Sequence, residues 1–416
     1  MNVIHGDCLE ELKKIDDNSV DAVVTDPPYG LSNTKPAQVA DVLAAWVTGD
    51  TVSVPAKRGG FMGKDWDSFV PPPAVWEECM RVLKPGGHMA VFAGARTQDL
   101  MGLSIRLAGF EIRDTLGWVY GSGFPKSMDI SKAIDKMKGA KREVVGKNPN
   151  HRAISGVGYE GIYQGGNTGA EDVTAPATPE AARWDGWGTA LKPAIEPIIL
   201  ARKPLDGTVA NNVLAHGVGG LNIDACRVAT GDTLSIGSGK PAFASDFSGS
   251  NPGTQNPAGR FPANVLLDEH AAKEMDKQSG VLKSGGGNKG PRSSSWFTSN
   301  SPNVDDVRNP DSGGASRFFT VFKYQAKAPK KERPVIERED GTKIQHNTVK
   351  PLALMEWLVS LIVPPGGVVL DPFAGSGTTL QAAINKGFTP IGIEQDADYI
   401  KLIEKRLEAT CTTRKN

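Results

Sequence analysis

The sequence predicts an α/β protein built on a doubly wound parallel sheet, and three observations carry that expectation. Strand-like apolar runs alternate with helical periodicities over the first 120 residues. The same alternation resumes over the last 70. Neither end supplies enough strands to bury a sheet alone, so the two ends are expected to share one domain with the middle of the chain inserted between them. A length of 416 residues gives room for a substantial core and for more than one domain.

In chain order, residues 1–5 read as a short apolar strand and 7–15 as a helix with Leu9, Leu12 and Ile15 on one face. Residues 19–25 form a buried strand that runs into Asp26-Pro27-Pro28-Tyr29-Gly30. Prolines cannot continue a central strand, so the chain must leave the sheet there. A helix over 73–83, a turn at Lys84-Pro85-Gly86-Gly87, a strand over 88–92, a helix over 97–108 and a strand near 111–120 complete the first block. The last block opens with an apolar helix over 350–363, a turn at 364–367 and a strand over 368–371. The loop Phe373-Ala374-Gly375-Ser376-Gly377 follows, then a helix over 378–386, a strand over 389–394 and a closing helix over 396–408.

The middle, about 136–345, differs in composition. It holds 28 of the 48 glycines and low-periodicity stretches at 237–259 and 285–314. It also carries 27 basic against 22 acidic residues, although the whole chain balances at 47 of each. A surplus of that size suits a polyanionic partner and an ordinary solvated surface equally well. No run of about 18 apolar residues occurs, and the acidic start of the chain is unlike a signal peptide, so a soluble, cytoplasmic protein with no membrane contact is expected. Cys8, Cys79, Cys226 and Cys411 lie far apart with no Cys-x-x-Cys pair, which argues against a disulfide framework and against a metal site. A phosphate-binding Gly-Lys-Ser/Thr, a Gly-x-Ser-x-Gly elbow and a His-Glu-x-x-His helix are all missing from the sequence.

Strand, Gly-x-Gly and helix in succession make a nucleotide cradle, because glycines admit a ligand close to the backbone and the helix start offers free N–H groups. A dinucleotide fingerprint would need a glycine at 380, which is leucine. The next strand ends in Glu394, where an acid can accept from both hydroxyls of a ribose. Loop and acid together point to a cofactor with a ribose and no phosphate pressed on the loop. Asp-Pro-Pro-Tyr has its own logic. Two prolines make a stiff arm, Asp26 can only accept hydrogen bonds, and Tyr29 offers a flat face for a base. Acceptors on Asp26 and the Pro27 carbonyl could hold both hydrogens of an exocyclic amine and neutralise the positive charge it gains on attack. The tetrapeptide alone is equally compatible with a strand-ending turn.

These residues give the chain a resemblance to the DNA amino-methyltransferases, which transfer a methyl group from S-adenosylmethionine to adenine N6 or cytosine N4. It is carried by DPPYG at 26–30, FAGSGTT at 373–379, HNTVKPLALMEWLV at 346–359 and GDCLEEL at 6–12. The order, tetrapeptide before loop, resembles the permuted group. Segments at 184–205 and 316–333 resemble phage-type, solitary members. The resemblance implies a circularly permuted, Rossmann-like methyltransferase sheet with a large inserted target-recognition region. It divides the chain into a catalytic half over 1–135, the insertion over 136–345 and a cofactor-binding half over 346–416. By the same resemblance Asp26, Pro27, Pro28 and Tyr29 hold the target base. Phe373, Gly375, Gly377 and Thr378 wrap the cofactor, with Asp371 beneath, Glu394 on its ribose, Asp7 and Cys8 along its adenine, and Lys350 and Pro351 near its methionine end. The partner it implies is double-stranded DNA, from which the base is flipped. No nuclease signature accompanies it.

Within that resemblance, Asp at the first position of the tetrapeptide leans towards adenine, with cytosine N4 as the alternative. Cytosine C5 chemistry needs a cysteine nucleophile, and none of the four cysteines follows a proline as that family's does. Enzymes that methylate protein amides resemble this pattern with Asn in place of Asp26. A non-catalytic DNA-binding relative is the reading from a different class. Trp184, Trp187, Trp296, Phe318, Phe319 and Tyr324 stand near basic residues in the middle, and core packing is the simpler expectation for each.

Overall fold

The computed structural model describes residues 2–32, 34–55, 67–121, 123, 127–148, 172–230, 259–284, 311–322, 332–338 and 340–413. Its centre is a nine-stranded sheet. In chain order the strands are β1 (Asn2–His5), β2 (Val20–Thr25), β3 (Leu83–Phe92), β4 (Glu111–Val119), β5 (Ile195–Arg202), β6 (Val265–Asp268), β7 (Thr320–Phe322), β8 (Val368–Asp371) and β9 (Thr389–Glu394). Across the sheet they lie in the order β1-β9-β8-β2-β3-β5-β4-β6-β7. The first strand of the chain therefore pairs with the last, Asn2 opposite Ile391 and His5 opposite Glu394. β8 pairs with β2, so the two ends of the chain share one sheet.

Pairing is parallel except at β5, which runs antiparallel to both β3 and β4. That reversed strand was not expected from the sequence. β5, β6 and β7 all come from the glycine-rich middle and extend the sheet beyond β3. The predicted turn at 84–87 sits inside β3 as an irregularity, the pairing with β2 jumping from Val20–Leu83 to Ala22–His88. Gly86 takes φ +78 there, and Lys84 Nζ donates to Asp21 Oδ1 at 2.6 Å while Asn212 Nδ2 donates to the Pro85 carbonyl at 2.8 Å.

Strand alternation sorts the core into two layers. Val23, Met89, Val91, Ile199 and Ala201 face one side, with Trp76 and Cys79 of helix Pro73–Val82, Met101 and Ile105 of helix Gln98–Leu107, and Val42 and Trp46 of helix Pro36–Val47. Ala22, Val24, Ala90, Phe92, Ile198 and Leu200 face the other, against Leu354, Met355, Leu358 and Val359 of helix Leu352–Ile362. Helices on both faces explain why these strands read as unbroken apolar runs. The first predicted helix is shorter than its periodicity suggested, ending at Leu12, while Asp7 caps its start by accepting from the Leu9 amide at 2.9 Å. The closing helix, Ala397–Thr413, is longer.

A separate compact unit spans 122–194. Its hairpin pairs Val144–Lys147 with Asp172–Thr174, and its helices are Ile130–Met137 and Pro179–Arg183. Asp135 organises it, accepting from Arg142 Nη1 at 2.7 Å, the Ala177 amide at 2.9 Å and Thr178 Oγ1 at 2.8 Å. Trp184 and Trp187 meet edge to face at 5.1 Å and are exposed, not core as expected. Phe318, in the larger unit, is exposed too. Trp296 and Tyr324 lie outside the described residues, as does most of both low-periodicity stretches. Among the described residues no helix is long and apolar enough to cross a membrane.

Candidate functional site

The tetrapeptide leaves the sheet at the carboxyl end of β2, where Pro27 and Pro28 forbid further pairing. Three anchors fix it. The amides of Tyr29 and Gly30 donate to Asp67 Oδ1 at 2.8 and 3.1 Å, and Thr97 Oγ1 donates to the Tyr29 carbonyl at 2.6 Å. Gly30 has φ +66, and a Cβ there would sit 2.7 Å from the Val70 amide nitrogen, so glycine is required.

Asp26 and Tyr29 belong to a half-buried charged group centred on the buried Lys350. The Tyr29 hydroxyl donates to Asp26 Oδ1 at 2.8 Å and accepts from Lys350 Nζ at 2.9 Å. Lys350 Nζ also lies 2.9 Å from Asp26 Oδ2 and 3.1 Å from Glu196 Oε2, over the rings of Tyr29 and Phe92. Burial works against the Lys350 charge, but Asp26 and Glu196 outweigh it and hold the ammonium above the usual lysine range. Burial, then Asp26 and Glu196, raise the Tyr29 hydroxyl well above the ordinary phenol value, so it remains a proton donor. Lys350, placed by resemblance near a cofactor's methionine end, thus has its ammonium on the tetrapeptide.

One strand over, at the carboxyl end of β8, stands the glycine loop. Asp371 accepts from Thr25 Oγ1 at 2.6 Å and from the Phe373 amide at 3.1 Å, a direct tie between loop and tetrapeptide strands. Burial pushes its carboxyl up to about 6 against those hydrogen bonds. Gly375 and Gly377 take φ +54 and +77, and Thr378 starts the helix Thr378–Lys386 directly after. Phe373 leans on Trp76, ring centroids 6.3 Å apart.

Glu394 ends β9 beside the loop. Its Oε2 accepts from the Gly375 amide at 2.8 Å and its Oε1 from the Asp396 amide at 2.9 Å. Burial raises its carboxyl to about 7 although both amides pull the other way. Each carboxylate oxygen has two acceptor positions and spends one on an amide, so two remain for further donors. Asp7 and Cys8 are close by in the chain's path, because the Gly6 amide donates to the Glu394 carbonyl at 3.0 Å. The Cys8 thiol is pushed up to about 12 by burial and then by Asp7, which keeps it protonated at neutral pH.

Several partners in this arrangement escape a reading of the sequence. Glu196, Asp67 and Thr97 touch the tetrapeptide from distant positions. The only signal for Glu196 is an acid at the mouth of an otherwise buried strand. Arg406 braces the loop, donating to the Ser376 carbonyl at 2.7 Å, Gln381 Oε1 at 2.8 Å and the Glu332 carbonyl at 2.6 Å. His346 stands against Gly375, whose Cβ would come 3.0 Å from Nε2, and packs edge-on to Tyr399 at 4.6 Å. Burial lowers its imidazole to about 4, so it is neutral. Pro351 caps the helix Leu352–Ile362, whose first amide donates to Glu332 Oε2 at 3.0 Å.

Comparison with known proteins gives this geometry a family. A type II methyltransferase of Haemophilus influenzae, M.HindIII, is 23% identical over 97% of this chain and 94% of its own length. The DNA adenine methyltransferase YhdJ of Escherichia coli is 48% identical over a shorter stretch, 15% of this chain and 21% of its own. Among solved structures, the cytosine-N4-specific PvuII DNA methyltransferase is 15% identical with a TM-score of 0.41, covering 97% of this chain and 85% of its own. The model of the N6/N4-type DNA methylases matches residues 20–405, nearly the whole chain, and the protein belongs to that family.

Proposed function

We propose that this chain methylates the exocyclic N6 of adenine in double-stranded DNA at a fixed sequence, acting in the cytoplasm of a bacterial or phage-infected cell. Methyl transfer in this family draws on S-adenosylmethionine. The observation that carries the reading is the adjacency of the two candidate sites. Tetrapeptide and glycine loop lie at the carboxyl ends of neighbouring parallel strands, β2 and β8, tied by Thr25 and Asp371. Ligands of open α/β sheets bind at such ends. The adenine assignment draws on Asp at the first position of the tetrapeptide, and the relative from E. coli is named for adenine.

The cradle fits the cofactor by its donor set. Glu394 keeps two acceptor positions, which matches two ribose hydroxyls, and its elevated carboxyl marks a charge short of donors. Gly375 and Gly377 let the loop turn with positive φ where a Cβ would press on His346 or Ile403. In this reading Phe373, Gly375, Gly377 and Thr378 line the cofactor with Asp371 below, Asp7 and Cys8 flank its adenine, and Lys350 and Pro351 stand towards its methionine end. Bound there, S-adenosylmethionine supplies an electrophilic methyl group on a sulfonium. Asp26 and the Pro27 carbonyl accept the two hydrogens of the amine, and Tyr29 stacks the flipped base. The amine's lone pair is thereby freed from the ring, and the positive charge that develops meets acceptors already in place. Flipping costs a few kcal/mol, offset by stacking of about 1–3 kcal/mol and by contacts to phosphate. Residues 1–135 would be the catalytic half, 346–416 the cofactor-binding half and 136–345 the target-recognition insertion of a permuted, phage-type member.

The test is modification-sensitive sequencing of DNA from a methylation-deficient host that makes this protein, beside Asp26→Ala. The expected result is N6-methyladenine in one sequence context, absent with the variant. N4-methylcytosine would move the base assignment, and unmodified DNA with folded protein would sink the enzyme reading.

A further inference from the structure

We infer that Glu196 is a positioning residue for amine methylation: it holds Lys350 in place and leaves the base-binding group with one net negative charge. The inference rests on the proposed role of Asp26 and goes beyond it. Lys350 Nζ has three protons and three partners, Asp26 Oδ2 at 2.9 Å, the Tyr29 hydroxyl at 2.9 Å and Glu196 Oε2 at 3.1 Å. Every donor is spent, which fixes the ammonium and, through it, the ring of Tyr29 and the carboxylate of Asp26.

Charge arithmetic gives Glu196 a second task. Asp26 and Lys350 by themselves form a neutral pair, which would do little for a nitrogen turning positive. Glu196 adds a second carboxylate against the single ammonium, so the group as a whole is negative. Asp26 then keeps one free acceptor position on each oxygen, because Tyr29 occupies one on Oδ1 and Lys350 one on Oδ2. In a partly buried site that net charge counts for more than it would in bulk solution. The reversed direction of β5 is what brings its first residues to the carboxyl ends of the parallel strands. β5 pairs with β3 and β4, and its residue at the site end, Glu196, lies opposite Trp118.

The experiment compares purified wild type, Glu196→Gln and Glu196→Asp on a duplex carrying the site that sequencing identifies. Glu196→Gln keeps the size and one acceptor but removes the charge. Its kcat should fall about 10- to 100-fold. KM for DNA, cofactor affinity by calorimetry and the melting midpoint should stay near wild type. Glu196→Asp restores the charge and should recover most of the lost kcat. A packing role predicts the opposite order, because Gln fills the space and Asp leaves a gap. Glu196→Gln turning over like wild type, or Glu196→Asp doing worse than Glu196→Gln, overturns the proposal. Wild type that methylates nothing overturns the base-methylation reading itself, and this inference with it.

Discussion

Asp26 and Glu394 are carboxylates at the carboxyl ends of strands in one sheet, and their surroundings treat them in opposite ways. Asp26 is braced by charge, with an ammonium and a phenol hydroxyl each on one of its oxygens. Glu394 meets only two backbone amides, and burial lifts its carboxyl to about 7. A compensated group is built to keep its shape while something passes across it. An under-compensated one gains most from a ligand that brings hydrogen-bond donors. On the proposed function, the contrast matches transition-state work at the tetrapeptide and binding work at the cradle, and each half can be tested separately.

The largest effect should come from removing the compensation at Asp26. Lys350→Met leaves Asp26 and Glu196, both only partly buried, without their counter-charge, which should cost about 3 kcal/mol of stability, the low end for a buried pair. An unchanged melting midpoint would contradict that pairing. Asp26→Ala separates chemistry from binding. It should cut methylation about 100-fold or more, as the loss of one transition-state contact does, while calorimetry finds cofactor affinity intact. Equal losses in both would merge the two sites into one.

At the cradle, Glu394→Gln should weaken cofactor binding about tenfold or more, the scale of a charged hydrogen bond, with kcat at saturation little changed. The pH behaviour follows from the same burial. Glu394 has a folded value near 7 against an unfolded value near 4.5, so between them the folded state binds the extra proton. Its contribution to stability is therefore full below about 4.5 and lost as pH rises through 7. Cofactor affinity should run the other way, rising through that window as the carboxylate ionises and accepts hydroxyls. Calorimetry at the two ends of the window checks the sign, and Glu394→Gln should flatten both curves. The smallest effect is expected at Gly375→Ala. Its positive φ and the nearby His346 ring should cost about 1 kcal/mol and a few-fold in cofactor affinity.

Most of the fold could be read from local signals. Strands β1, β2, β8 and β9 and the helices between them announce themselves because burial on both faces demands continuous apolar runs, with Pro and Gly marking where they stop. β5 escaped notice because its run, Ile195–Arg202, lies in a proline- and glycine-rich stretch, and its direction depends on a neighbour more than 100 residues away. The exposure of Trp184 and Trp187 was hidden for a related reason, since composition favours aromatics in cores whatever the local packing.

The two candidate sites divide the same way. Asp26 through Tyr29, the glycine loop and Glu394 each carry their chemistry in contiguous residues, so the chain itself specifies a stiff acceptor arm, a bare backbone and an acid at a strand tip. What those groups touch is set across the sheet. Lys350 comes to Asp26 from more than 300 residues on, Glu196 joins Lys350 from another strand, Arg406 reaches Ser376 from the closing helix, and His346 covers Gly375. Hydrogen bonds and ion pairs act over about 3 Å of space without regard to distance along the chain. Residue types and strand tips were thus determined by sequence alone, while the partners, the net charge around Asp26 and the uncompensated state of Glu394 were decided only when β2, β5, β8 and β9 came together.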